Sequence, residues 1–174
     1  MELLNAIKDT LPDYAKDIRL NLDGALARSS LEGHEAIGVA LASAFAARSS
    51  VIIQAIQNAG VLSTEEQNGA LTAAALMGMN NVWYPYPEMT GDAELKQQPA
   101  ELRMNAYANH GGIDKRRFEM YALAASIIGR CHFCVRSHFE TLRKEGLSAV
   151  QLRDIGRIAA TIYAAAQVIA VEQG

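Results

Sequence analysis

Cysteine is nearly absent from this chain: among 174 residues there are two, Cys131 and Cys134, three positions apart. Two cysteines that close together cannot be the disulfide framework of a small secreted scaffold. No sign of charge is in large excess. Sixteen Lys and Arg against nineteen Asp and Glu leave a formal charge of −3, and the basic footprint of a nucleic-acid binder is missing. Aromatic residues make up only 6%. No basic stretch or unbroken apolar stretch opens the chain at Met1-Glu2-Leu3-Leu4-Asn5, so no secretory leader is expected. The longest uncharged run, Gln67 to Pro87, spans 21 residues, long enough to ask about a membrane span. Gln67, Asn68, Thr72, Asn80, Asn81, Pro85 and Pro87 interrupt it, and each polar group there would be costly in lipid. We read it as a buried helix. The expectation is a cytoplasmic protein with no membrane and no nucleic-acid partner. In that compartment a vicinal cysteine pair is more often redox-active or metal-binding than structural.

What is present is apolar and helix-favouring. Hydrophobic residues make up 50% of the chain, too many for a disordered segment at such a modest charge. Alanine is abundant, β-branched runs are short, and the apolar period is 3.6 rather than 2. We expect an all-α, multi-helix fold in a single domain, residues 1–174. Leu11, Ala15, Ile18 and Leu22 share one helix face after Pro12. Ile37, Leu41 and Phe45 stripe a second helix, and Ser49 caps a third that Gly60 stops. Ser63 and Glu66 form a capping box, as do Ser148 and Gln151, and Asp114 caps another helix. Three prolines and Gly91 mark a central loop at about 85–99. A short helix is expected from about Pro99 to Tyr107, ended by His110-Gly111-Gly112. Ala74–Asn81 resembles Ala125–His132, with glycines 51 positions apart, which suggests two related helical halves.

The chemistry sits between Glu119 and His138. Cys131 and Cys134 lie at a helix start, on one side, close enough to close a small disulfide ring. The positive end of the helix dipole favours thiolate over thiol, and thiolate is the nucleophile toward peroxides and disulfides. Arg130 and Arg136 would push the same way if they point inward. His138 follows Cys134 by one helical turn, on the same face, where an imidazole can take or relay the thiol proton. Glu119 lies on the preceding helix, and spacing alone does not say whether it reaches His138. Two plainer readings compete. Cysteines are often just small buried hydrophobes. Alternatively, Cys131, Cys134 and His138 could ligate zinc with His132 or His110 as fourth ligand, although structural zinc usually draws on two well-separated ligand pairs. Met77, Met79, Met104 and Met120 read as core filler. Trp83, Tyr84 and Tyr86 read either as the lining of a pocket or, the commoner role, as packing beneath the central loop.

The pattern resembles the alkyl hydroperoxidase D (AhpD) family, within the AhpD-like and carboxymuconolactone decarboxylase-like superfamily. The resemblance runs nearly end to end. It covers Leu11-Pro12-Asp13-Tyr14-Ala15-Lys16-Asp17-Ile18, Ala75-Leu76-Met77-Gly78-Met79-Asn80-Asn81-Val82 and Leu102-Arg103-Met104-Asn105. It closes on E-x11-C-x2-C-x3-H at Glu119, Cys131, Cys134 and His138.

The resemblance implies an antioxidant, peroxide-reducing thiol enzyme that is all-helical and homotrimeric. It implies no bound cofactor. Organic hydroperoxides would be the substrates and a peroxiredoxin a partner to be re-reduced. Electrons would come from a dihydrolipoyl group on a lipoyl-bearing 2-oxoacid dehydrogenase component. By position, Cys134 matches the cysteine that becomes a sulfenic acid. Cys131 matches its resolving partner and proton donor. His138 and Glu119 match the proton relay. One position departs from the family: the residue before the second cysteine is Phe133, and the histidine is one earlier, at His132. One residue is about 100° of helix rotation, so His132 does not simply substitute for it, and whether His132 is a site residue stays open. Two other functional classes stay open, a disulfide-relay adaptor without peroxidase turnover and a decarboxylase-type enzyme of the superfamily.

Overall fold

A computed structural model describes residues 2–173; Met1 and Gly174, the two ends of the expected domain, lie outside the described residues. The described chain is all-α, with no strand. Its helices are α1 (Glu2–Lys8), α2 (Lys16–Leu22), α3 (Gly33–Ala46), α4 (Ser50–Asn58), α5 (Thr64–Trp83), α6 (Pro85–Thr90), α7 (Asn105–Asn109), α8 (Lys115–Ile128), α9 (His132–Lys144) and α10 (Ala149–Gln173). A π-helical turn, Asp23–Ala27, extends α2.

The helix starts follow local side-chain chemistry. Ser49 accepts from Ile52 N–H, and Asp114 accepts from Arg117 N–H. Ser63 and Glu66 bond reciprocally, as do Ser148 and Gln151. Each arrangement satisfies N–H groups that the first helical turn leaves free.

Two segments differ from the sequence expectation. The stretch expected as a loop from Tyr84 onward begins with α6, because Pro85 and Pro87 both fall in a first turn, where a missing N–H costs nothing. Gly91, left-handed at φ 68°, ends that helix. The helix expected from Pro99 is reduced to α7. Glu101 stands in the left-handed region at φ 50°, which a continuous right-handed helix excludes.

The bundle centres on α3, α5, α8 and α10, which pack against one another. From Glu35 to Ser43, α3 is buried on every side, and α8 is buried from Phe118 to Ser126. Such all-round burial needs small side chains, and alanine supplies most of them. By length and composition α10 would suffice to cross a membrane. Here Leu152, Ile155, Ile158, Ile162 and Ile169 are buried, and the helix packs on α2, α3 and α8. Asp154, near its start, accepts from the N–H and hydroxyl of Ser30 at 2.8 Å each and pairs with Arg153 and Arg157. That cluster ties α10 to the chain entering α3.

The site depends on how α5, α8 and α9 meet. At the end of α8 there is no room for a side chain: a Cβ on Gly129 would fall 2.1 Å from Asn81 Nδ2. Asn81 instead donates to the Ala125 carbonyl at 3.2 Å, joining α5 to α8. Arg130 then turns left-handed at φ 55° and redirects the chain into α9.

Candidate active site

Cys131 is the N-cap of α9, and its sulfur accepts from Cys134 N–H at 3.2 Å. The two cysteines are joined in a disulfide, with Cα atoms 5.3 Å apart. Both are buried. A sulfur at a helix N-terminus faces free N–H groups and the positive dipole end, so the ring sits where a thiolate is favoured on reduction. The Cys134 sulfur lies 3.8 Å from the Asn80 carbonyl oxygen on α5.

One turn further along α9, His138 is buried beneath the same surface. Its Nδ1 lies 2.7 Å from Glu119 Oε2, with both side chains about 5% exposed. Antiparallel packing of α8 and α9 makes this contact, the one that spacing left open. Nε2 lies 3.2 Å from Met77 Sδ. The hydroxyl of Tyr107, on α7, lies 3.2 Å from His138 Nδ1. The Tyr107 ring sits nearly parallel to the imidazole and edge-on to Phe118. Burial, reinforced by the charge of Glu119 and hydrogen bonding to it, holds the Tyr107 phenol well above the usual tyrosine range.

Cys134 and His138 open onto one cavity of about 310 Å³. Met77, Asn80, Tyr84, Met104, Tyr107 and Phe133 form the rest of its wall. Tyr84 and Phe133 stack with centroids 4.7 Å apart, and Phe133 is 56% exposed at the rim. The buried Oδ1 of Asn80 has no hydrogen-bond partner. The wall is apolar apart from the Cys134 sulfur, an imidazole, two phenols and an amide. That composition suits a small molecule with an organic body and one reactive polar end.

The sequence-derived residues thus divide. Glu119, Cys131, Cys134 and His138 come together. His132, Arg130 and Arg136 do not join them. All three are exposed and line a separate depression with Ile127, Val135 and Phe139. Arg130 and Arg136 do not point inward: the left-handed turn at Arg130 and the outer face of α9 at Arg136 leave both exposed. Among the described residues no group of three or more His, Cys, Asp or Glu is placed to hold a metal ion. Sequence reasoning missed Tyr107 and gave Met77 and Met104 to the core alone. Tyr107 lies in a short irregular region with no periodicity to mark it. Its position between a predicted helix end and a Gly-Gly break was the only available signal.

Comparison with known proteins completes the picture. Residues 93–173 match the model of the carboxymuconolactone decarboxylase family, a span that contains Tyr107, Glu119, both cysteines and His138. The chain is 42% identical over 171 residues to an alkyl hydroperoxide reductase AhpD of Rhodospirillum centenum, covering 97% of this chain and 91% of that protein. It is 43% identical over 175 residues to the protein of the same name from Coxiella burnetii, covering 98% of each. With that of Maricaulis maris it shares 42% identity over 171 residues, 97% of this chain and 98% of the relative.

Proposed function

The chain belongs to the alkyl hydroperoxide reductase AhpD family, and on that footing we propose that it is an antioxidant thiol peroxidase that cycles Cys131 and Cys134 between dithiol and disulfide. The observation that carries this reading is one arrangement: a bonded cysteine pair at the head of α9, with Cys134 sharing a cavity with an imidazole that a buried carboxylate holds.

The cycle runs as follows. Glu119, through His138, draws the proton from Cys134. The thiolate attacks the terminal oxygen of a hydroperoxide: an S–O bond forms, the O–O bond breaks, and the alkoxide leaves. Cys131 or the protonated relay supplies the proton that makes it an alcohol. Cys134 is now a sulfenic acid, the first step of cysteine oxidation. The sulfur of Cys131 attacks it, a disulfide forms, and the hydroxyl departs as water. An external dithiol then reduces the disulfide by thiol exchange. That donor is a dihydrolipoyl group on a 2-oxoacid dehydrogenase component. The same dithiol form re-reduces the disulfide of a peroxiredoxin partner. The chain works in the cytoplasm as a homotrimer, and the exposed Phe45, Val82 and Tyr86 supply apolar surface for copies to cover. The decarboxylase description of the matching family carries less weight than the cysteine pair, because decarboxylation needs no thiol cycle.

The test is peroxide consumption with dihydrolipoamide as donor. The parent chain turns over, while Cys134→Ser and Cys131→Ser do not. Turnover retained in either variant overturns the two-cysteine cycle. Stoichiometric zinc in the purified chain would overturn the redox reading altogether.

A further inference from the structure

Buried polar side chains are rarely left without a hydrogen-bond partner, and each one that is calls for a reason. Five such atoms stand among the described residues: Asn80 Oδ1, Asn81 Oδ1, Arg116 Nε, Tyr121 Oη and Ser126 Oγ. Of these residues only Asn80 lies in the wall of the Cys134 cavity. It follows Met77 by three positions and precedes Tyr84 by four, so all three stand on the face of α5 that lines the cavity. Asn80 is 4% exposed. Its backbone carbonyl oxygen lies 3.8 Å from the Cys134 sulfur, which puts the residue beside the reacting atom. The neighbouring polar groups are already matched. The Cys131 sulfur accepts from Cys134 N–H, His138 Nδ1 meets Glu119 and the Tyr107 hydroxyl, and Nε2 meets Met77 Sδ. An amide oxygen in this position is an acceptor for a donor that the substrate brings.

We propose that Asn80 is a substrate-binding residue whose side-chain oxygen accepts the O–H of the hydroperoxide. A hydroperoxide has one O–H, on its terminal oxygen, the atom that the Cys134 thiolate attacks. Held through that hydrogen, the terminal oxygen lies against the sulfur, and the organic body lies among Met77, Met104 and Phe133. As the S–O bond forms, the O–O bond breaks and its electron pair leaves on the alkoxide. The hydrogen held by Asn80 stays on the transferred oxygen, so the sulfenic acid keeps the same hydrogen bond. The Cys131 sulfur then displaces that oxygen. Of the two thiol protons of the pair, one has gone to the alkoxide and the other goes to the departing hydroxyl, which leaves as water. Asn80 thus follows the oxygen from substrate to sulfenic acid and takes up no proton at any step. Its role is distinct from that of Glu119 and His138, which move the proton of Cys134.

This inference rests on the peroxidase reading above. Its test is the rate at which the reduced chain loses its thiols to tert-butyl hydroperoxide and, separately, to methyl methanethiosulfonate, a thiol reagent with no O–H or N–H. Asn80→Leu keeps the bulk and removes the acceptor. Its hydroperoxide rate should fall about tenfold, the worth of one hydrogen bond, while its thiosulfonate rate stays within about twofold of the parent. An unchanged hydroperoxide rate overturns the role of Asn80. So does an equal fall with both reagents, which would make the amide a support for the thiolate. A second measurement leaves Asn80 in place. In Cys131→Ser, hydroperoxide takes Cys134 to a sulfenic acid that no second thiol consumes. The NMR resonance of the isotope-labelled Asn80 side-chain carbonyl should shift as that acid forms, and a resonance that does not move overturns the proposal even if Asn80→Leu does not fold. Failure of the peroxidase reading looks different: the thiols of the parent then survive hydroperoxide while still reacting with the thiosulfonate.

Discussion

Glu119 and His138, nineteen residues apart on antiparallel helices, meet at 2.7 Å with almost no solvent on either side chain. A carboxylate buried that thoroughly is stable only with donors around it. This one has the imidazole N–H, and the Tyr107 hydroxyl lies 3.2 Å from the same ring nitrogen. In the proposed cycle the pair acts as a unit: His138 takes the proton of Cys134, and the adjacent carboxylate balances the positive charge that results.

That arrangement gives Glu119→Gln a definite signature. The amide keeps the shape and loses the charge, so Cys134 is no longer helped to ionise. At high pH the thiol ionises unaided and the rate approaches that of the parent. At low pH it should fall by about 10²-fold, within the usual range for removing a positioned base. Peroxide consumption followed across pH checks this, and a uniform loss would place Glu119 in structure rather than in proton transfer.

Asp154 predicts a pH-dependent stability unconnected with activity. Burial pushes its carboxyl up, but the N–H and hydroxyl of Ser30 and the guanidiniums of Arg153 and Arg157 outweigh this and hold it well below the usual carboxylate range. A group with a depressed folded-state value stabilises the fold above its unfolded-state value, near 3.8, and loses that contribution as pH falls below it. Asp154→Asn should cost about 2 kcal/mol at neutral pH, with the difference from the parent shrinking as the solution is acidified through that range. Urea denaturation at several pH values measures it. A constant difference would show that the carboxylate charge contributes nothing.

Gly38 sets how closely α3 and α8 approach. A Cβ there would lie 2.3 Å from the Tyr121 hydroxyl, and the Tyr121 ring is fully buried. Gly38→Ala must displace that ring from a packed interior. The expected cost is about 2 kcal/mol, or roughly 4–8 °C in melting temperature for a chain of this size. A melting curve unchanged by the substitution would mean that the ring has somewhere else to go.

How much of this was legible in the sequence depended on distance along the chain. Ser49, Ser63, Asp114 and Ser148 announce helix starts because a cap acts within three residues. Cys131, Cys134 and His138 are likewise separated by at most seven positions, and helix geometry alone gathers them. Glu119 lies beyond that reach, and the antiparallel packing of α8 and α9 brings it in. Tyr107 and Met77 come from segments whose own periodicity says nothing of the cavity. Arg130 and Arg136 show the converse. They are close in sequence to the cysteines, yet the turn at Arg130 and the outer face of α9 carry them away. Pro85 and Pro87 look like loop residues because proline usually breaks helices. In a first turn it starts one.

The disulfide joins positions only three apart, and the entropy a cross-link removes from the unfolded chain grows with the loop it closes. A ring this small constrains little that a single helical turn does not already constrain. Scaffold strength and electron storage are therefore separate properties in this molecule. The bundle owes its cohesion to α3, α5, α8 and α10, so the two-electron cycle proposed for the sulfur pair asks little of the architecture around it.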